Sequence, residues 1–277
     1  MKKILVPLDF SQTSDNAFVY ALELANIFKA ELVLLHTFEL PIVDSQSLPI
    51  NYATIYDSIE LTNFEHFKDK IPQLRSMAET RKLGHIVMNH ILVDGDLVFN
   101  IKKTCKDENI DFVIMGTKGA SGWLDTFFGT NTGSVIADIT IPVLSVPIEA
   151  SYRKIDTIVF TTVFKKDDIE VLHKVLKFAK KLHAKVKCLH VKTANSQINS
   201  DVIKRWQSHF EDEDNLEYAI IENNDIKQAI EDFIDQNDVD LLAMLTRHRN
   251  FFTELFTTRT SQKLSYHLKK PLLVFHE

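Results

Sequence analysis

The chain reads as an α/β protein built from two tandem copies of one unit. Each copy is expected to form an open, mostly parallel five-stranded sheet with helices on both faces. Three observations predict this. Short runs rich in Val, Ile and Leu alternate with helical patterns. The alternation occurs twice along the chain. All seven glycines lie in the first half, and residues 151–277 contain none. Alternating strands and helices imply a parallel sheet, because each crossover lays a helix across a face. A length of 277 residues suffices for two domains, each with its own core.

The repeat can be followed residue by residue. Ile4-Leu5-Val6-Pro7-Leu8-Asp9-Phe10 overlays Ile158-Val159-Phe160-Thr161-Thr162-Val163-Phe164 at an offset of 154, which persists to Leu35-His36 over Leu189-His190. Further on the offset is 129: Ile110-Asp111 matches Val239-Asp240, and Ile141-Pro142-Val143 matches Lys270-Pro271-Leu272. The fall from 154 to 129 gives the first copy 25 extra residues. Their Pro and polar content places them between Leu40-Pro41 and Ile59. They read as a lid, a partner-binding arm or a passive surface loop. A repeat of this size implies duplication of a whole folding unit, with domains at 1–150 and 151–277.

In the first copy, strands are expected at Ile4–Leu8, Glu31–His36, His85–Val93, Asp111–Met115 and Pro142–Val146. Ala17, Tyr20-Ala21, Leu24 and Phe28 recur at helical spacing after the first of these. Ser11, Thr13 and Ser14 offer cap oxygens ahead of that helix, and Asp15 suits its positive end. The second copy repeats the pattern with Ile169, Leu172, Val175-Leu176, Ala179 and Leu182 after Asp167-Asp168. Asp96–Asn109 and Gln228–Asn237 read as the helices before the fourth strands.

Composition excludes several classes. Apolar residues make up 45% and charged residues 25%, with a net charge of −6, so no basic footprint for nucleic acid exists. No apolar run approaches the roughly 18 residues of a membrane span. Met1-Lys2-Lys3 is followed only by Ile4-Leu5-Val6 before Asp9 arrives, too short a stretch for a signal peptide. Cys105 and Cys188, one in each half, fit a reducing cytoplasm better than a disulfide framework.

The most informative segment is Gly116-x2-Gly119-x9-Gly129-Thr130, which follows a predicted strand and leads to a helix from near Asn131. Exposed backbone N–H groups in a tight loop, with the positive end of a helix, form an anion site. Gly116 and Gly119 would keep side chains clear of ribose and phosphate, and Gly129 would bring main chain against the phosphates. Thr130 and Thr132 add hydroxyls. The spacing is neither a P-loop nor the dinucleotide fingerprint. Without the strand context the same glycines would serve an ordinary turn, and Asp9 alone would serve a helix start.

These residues resemble the universal stress protein family in its tandem-domain form. Nucleotide-binding members of that family carry Gly-x2-Gly-x9-Gly-Ser/Thr after the fourth strand and an Asp after the first, in a Val-Pro-x-Asp-like sequence. The matching residues are Val6-Pro7-Leu8-Asp9, Met115-Gly116-Thr117-Lys118-Gly119 and Gly129-Thr130-Asn131-Thr132. The resemblance implies a Rossmann-like, adenine nucleotide alpha hydrolase-like fold. It further implies two domains related by a pseudo-twofold axis as an intramolecular pseudo-dimer, with Pro142–Val146 and Pro271–Phe275 pairing across the axis. The implied ligand is an adenine nucleotide, ATP with or without Mg²⁺. Pro7 would touch the nucleotide, Asp9 and Thr37 would flank adenine and ribose, and Met115 and Gly116 would line the ribose. Gly119, Gly129, Thr130, Asn131 and Thr132 would hold the triphosphate.

The second copy departs from this pattern. Val163 stands for Asp9; Leu245, His248 and Thr258 stand for Gly116, Gly119 and Gly129; Arg259 stands for Thr130. It is expected not to bind ATP in the first copy's manner. No residue reads as a general base on an attacking water. The expected function is therefore an ATP-binding stress-response or signalling module with little or no turnover. The alternatives are a slow ATPase or adenylate-transferring enzyme, with Lys118 at the phosphates, or a nucleotide-free scaffold for protein partners. Arg247-His248-Arg249 reads as an anion clamp or as solvated cations. His36 and His190, at matching strand ends, read as structural histidines, with metal ligation the alternative. Phe127-Phe128 and Phe251-Phe252 read as packing or as a contact surface. The sequence names no protein partner and leaves further homodimerisation open.

Overall fold

A computed structural model describes residues 1–40, 52–117, 131–194, 200–246 and 269–276. The chain divides into two compact units, Met1–Gly116 and Thr117–Glu277. The first contains β1 (Lys3–Pro7), α1 (Gln12–Phe28), β2 (Glu31–Phe38), α2 (Tyr52–Thr80), β3 (Met88–Asp94), α3 (Leu97–Asp107) and β4 (Phe112–Thr117). Its sheet runs β3-β2-β1-β4, with every pairing parallel. The central strands are apolar on both faces, as a covered parallel sheet requires: Ile4, Leu5, Val6, Val113 and Ile114 have no exposed surface.

Helix α1 starts where Ser11 accepts from the Ser14 N–H at 3.3 Å. It buries Ala17, Phe18, Ala21, Leu22 and Leu24. Lys29, in the left-handed conformation, ends it by donating its N–H to the Ala25 carbonyl. Helix α2 packs through Phe67, Lys70, Leu74 and Ala78, a stripe at helical spacing. The buried Lys70 is neutralised by Asp15 of α1 at 2.8 Å.

The first copy's extra length falls differently from expectation. Helix α2 has 29 residues, whereas the corresponding helix of the second copy has 10. Residues 52–59, expected in a lid, arm or surface loop, belong to this lengthened helix, and residues 41–51 lie outside the described residues. Among the described residues, Asp57 and Ser58 are polar positions of this helix rather than of a loop, and most of 57–66 are exposed.

The second unit contains α4 (Asn131–Asp138), β5 (Val143–Pro147), β6 (Thr157–Thr161), α5 (Lys166–Leu182), β7 (Lys185–Lys192), α6 (Ser200–His209), β8 (Leu216–Glu222), α7 (Ile226–Gln236), β9 (Leu241–Thr246) and β10 (Leu272–His276). Its strand order is β5-β10-β9-β6-β7-β8, so β8-β7-β6-β9 repeats the first unit's β3-β2-β1-β4. Strand β5 is antiparallel to β10, the pairing the family resemblance implied. Leu144 faces Leu273, Val143 faces Val274 and Ser145 faces Leu272. Leu144 and Leu273 are 129 positions apart, the repeat offset, so the register is symmetric about that pair. Strand β5 belongs to the first sequence copy yet bonds the last strand of the second. The boundary between compact units therefore falls at Gly116 rather than at the end of the first repeat.

The copies also repeat individual interactions. Asp111 accepts from the N–H groups of Lys2 and Lys3; Asp240 accepts from those of Asp156 and Thr157, at 2.9 and 3.0 Å. Phe10 and Phe164 both adopt left-handed backbone, with φ of 62° and 57°. Such backbone is unfavourable for a bulky side chain. Each ring packs on the histidine at the end of the neighbouring strand, His36 at 4.1 Å and His190 at 5.3 Å between centroids. The Nδ1 of His36 donates to the Leu8 carbonyl at 2.7 Å, and that of His190 to the Thr162 carbonyl at 2.8 Å. Both histidines thus brace the turn after the first strand of their copy, as the structural reading expected.

Cys105 and Cys188 are buried free thiols. Burial pushes the Cys105 thiol up to about 12 and raises that of Cys188 as well. The thiolate is the reactive form, so native protein at pH 8 is expected to resist a disulfide reagent. Both cysteines should titrate once denaturant is added. Rapid labelling of native protein would contradict this burial.

Candidate functional site

The sequence-predicted residues of the first unit converge on one edge. Pro7 of β1 pairs with Leu35 of β2, and Leu5 pairs with Val113 of β4. The three strands are parallel, so the residues that follow reach the same carboxyl edge: Asp9 beyond β1, Thr37 on β2, Met115 and Gly116 on β4. That edge is where ligands of open α/β sheets bind. Pro7 and Met115 are buried, Thr37 and Gly116 half-buried, and Asp9 exposed. The Oδ1 of Asp9 accepts from the N–H of Ser11 at 3.0 Å and from the Ser11 hydroxyl. Asp9 therefore fixes the turn that launches α1 while presenting a carboxylate to solvent.

Gly116 answers a demand that the sequence did not reveal. A Cβ at this position would lie 2.6 Å from both Cγ2 and the carbonyl oxygen of Thr13, and 2.8 Å from the Thr13 carbonyl carbon. The end of β4 and the start of α1 approach so closely that only glycine fits. Gly116 thus meets a packing demand of the protein's own backbone, separate from the space for ribose that the sequence led us to expect.

In the second unit, α4 begins at Asn131, where the motif predicted a helix. Asn131 is exposed, and Thr132 is buried in the first turn. Gly119, Gly129 and Thr130 lie outside the described residues, as do Lys118, Phe127-Phe128, Arg247-His248-Arg249, Phe251-Phe252, Thr258 and Arg259.

The second copy has not simply lost a carboxylate; it has moved one. Val163 occupies the place of Asp9. Asp168, only 2% exposed, accepts from the Thr162 hydroxyl at 2.7 Å, the Val163 N–H at 3.1 Å and the Lys165 N–H at 3.2 Å. Lys165 is the counterpart of Ser11 at the offset of 154, so one backbone N–H is bonded in both copies. The exposed Asp9 accepts from it in the first and the buried Asp168 in the second. The carboxylate of Asp168 holds the donors of its turn from within. Sequence reasoning missed this role, because Asp167-Asp168 served only to mark where the helical pattern begins. The signal available was Thr162, a hydroxyl six residues upstream.

Leu245 stands in buried β9 where Gly116 stands in β4. Among the described residues no group of three or more His, Cys, Asp or Glu side chains could hold a metal ion. None of the described helices is long and apolar enough to cross a membrane.

A family model described as the universal stress protein family matches residues 1–147 and, a second time, residues 154–276. The chain belongs to the universal stress protein family. The double match makes it a tandem universal stress protein, in agreement with the repeat. One stretch is 32% identical over 155 residues to universal stress protein MJ0577 of Methanocaldococcus jannaschii, covering 52% of this chain and 94% of the relative. Universal stress protein YxiE of Bacillus subtilis is 28% identical over 145 residues, covering 52% and 97%. These relatives have the length of one copy. A whole-length likeness is provided by the crystal structure of a universal stress protein from Archaeoglobus fulgidus. Its TM-score is 0.72 at 18% identity, over 99% of this chain and 98% of that one. At that identity the likeness is one of fold, a Rossmann-like α/β architecture in tandem.

Proposed function

We propose that this universal stress protein binds ATP, with or without Mg²⁺, through its first copy. Occupancy would then alter its contacts with a protein partner, with little or no hydrolysis. On this reading 1–150 is the nucleotide-competent domain and 151–277 the degenerate one. The buried, protonated thiols suit a reducing compartment such as the cytoplasm. The observation that carries the proposal is the contrast between the two turns. The first presents Asp9 to solvent at the carboxyl edge of its sheet, whereas the second satisfies its donors with the buried Asp168. A nucleotide changes what the protein contacts only if those contacts differ between bound and free forms.

The test is mass spectrometry of ligand released from freshly purified protein, followed by calorimetric ATP titration. Wild type should bind one ATP per chain. Gly129→Val should abolish binding, because the motif places main chain against phosphate there. Asp9→Ala should weaken binding by at least about tenfold, the lower end of one hydrogen bond to a charged group, with stability within about 0.5 kcal/mol of wild type. Two equivalent sites per chain, or no bindable adenine nucleotide, would overturn the proposal. Phosphate release well above background that collapses in Lys118→Ala while ATP still binds would favour the enzyme instead.

A further inference from the structure

We propose that the second unit carries a site for a divalent transition metal of the imidazole-preferring class, formed by His173 on α5 and His209 at the end of α6. The two Nε2 atoms lie 3.1 Å apart, with ring centroids 5.3 Å apart. Both side chains are exposed. Neither belongs to the residues assigned to the nucleotide.

The pair is held in place by packing. Phe210 is 4% exposed and lies against both imidazoles, 4.6 Å from the His173 centroid and 4.8 Å from that of His209. Further along the same two segments, Lys180 of α5 pairs with Glu213 at 2.8 Å. The rings therefore meet at an anchored junction, and less ordering remains to oppose ligation.

Without metal, one Nε2–H donates to the lone pair of the other ring, so one imidazole is in its Nε2–H tautomer. With metal, each neutral ring carries its proton on Nδ1 and offers the Nε2 lone pair. Two imidazoles on a tetrahedral zinc, with bonds of about 2.0–2.1 Å, place their nitrogens roughly 3.3 Å apart. The observed separation needs to open by only a few tenths of an ångström. Water completes the coordination, since the pair faces solvent. Imidazole suits Zn²⁺, Cu²⁺ and Ni²⁺, and Cu²⁺ heads the affinity order. The two cysteines are buried thiols and do not compete.

The experiment is calorimetric titration of the chelator-treated full chain with Zn²⁺ and with Cu²⁺. Wild type is expected to bind one equivalent at this site. Binding should weaken at least tenfold in His173→Ala and in His209→Ala, and equally in His209→Gln, which keeps a side chain against Phe210. It should be unchanged in His85→Ala, an exposed histidine elsewhere. Excess Zn²⁺ should raise the melting temperature of wild type and of none of the three site variants, because ligand bound only to the folded state stabilises it. Melts in chelator check that the variants fold as wild type does. Equal metal affinity in wild type and the site variants, or no saturable binding of either ion up to millimolar concentration, would overturn the site.

Discussion

Gly116→Leu is expected to destabilise the chain by about 3 kcal/mol, the upper range for overpacking a closed contact. Leucine is the residue the repeat counterpart, Leu245, already presents. The two copies are not interchangeable here. The obstacle at position 116 is the Thr13 backbone, with carbonyl carbon and oxygen at 2.8 and 2.6 Å from where a Cβ would stand. A flexible side chain could swing aside, but a helix start can move only by releasing its cap and the Asp9–Ser11 hydrogen bonds. Because the Cβ itself makes the clash, Gly116→Ala should incur most of the same loss. Denaturant titration of both variants measures this, and a wild-type midpoint for Gly116→Ala would disprove the close approach. The variants also show why Gly116 is a poor probe of nucleotide binding: affinity lost there would mix sterics at the ligand with damage to α1.

Asp168→Ala should cost a similar amount, about 3 kcal/mol. It strips the buried Thr162 hydroxyl and the part-buried N–H groups of Val163 and Lys165 of their acceptor; an unmet buried donor is worth about 1–3 kcal/mol, and water recovers part of the loss at the other two. Asp168→Asn retains one acceptor oxygen and should be milder. Asp9→Ala, at the solvent-facing turn of the first copy, should stay within about 0.5 kcal/mol of wild type, since water can replace an exposed acceptor. The comparison separates a buried carboxylate that holds its turn from within from an exposed one that the proposed function assigns to a ligand. Equal and small losses at both positions would remove the distinction on which the functional asymmetry rests.

Much of the architecture was legible because a buried parallel strand has few acceptable sequences. Ile4-Leu5-Val6 and Ile158-Val159-Phe160 are apolar on both faces, and the five strands expected in the first copy lie within a few residues of their places. Helix α4, described from Asn131, lies where the sequence expected a helix to follow the glycine motif. The extra residues of the first copy were not. Polar composition marks a solvated segment, whether loop or helix flank, and Pro72 inside α2 does not break that helix. The relocation of a carboxylate from Asp9 to Asp168 was also hidden. Alignment compares residues at equal positions, whereas a hydrogen-bond acceptor can be supplied from the next turn of helix. The second demand on Gly116 was invisible because nothing in the sequence reports how near two backbones come.

The self-matching register of β5 and β10 carries one last consequence. An excised amino-terminal repeat would keep Val143–Ser145 as an orphan rim, its main-chain donors and acceptors stripped of their intramolecular complement. The surface best shaped to relieve that rim is the same rim on another molecule, Leu144 against Leu144. Joining two repeats in one polypeptide converts such a concentration-dependent encounter into a permanent one. It also frees the second repeat to diverge without forfeiting its twin.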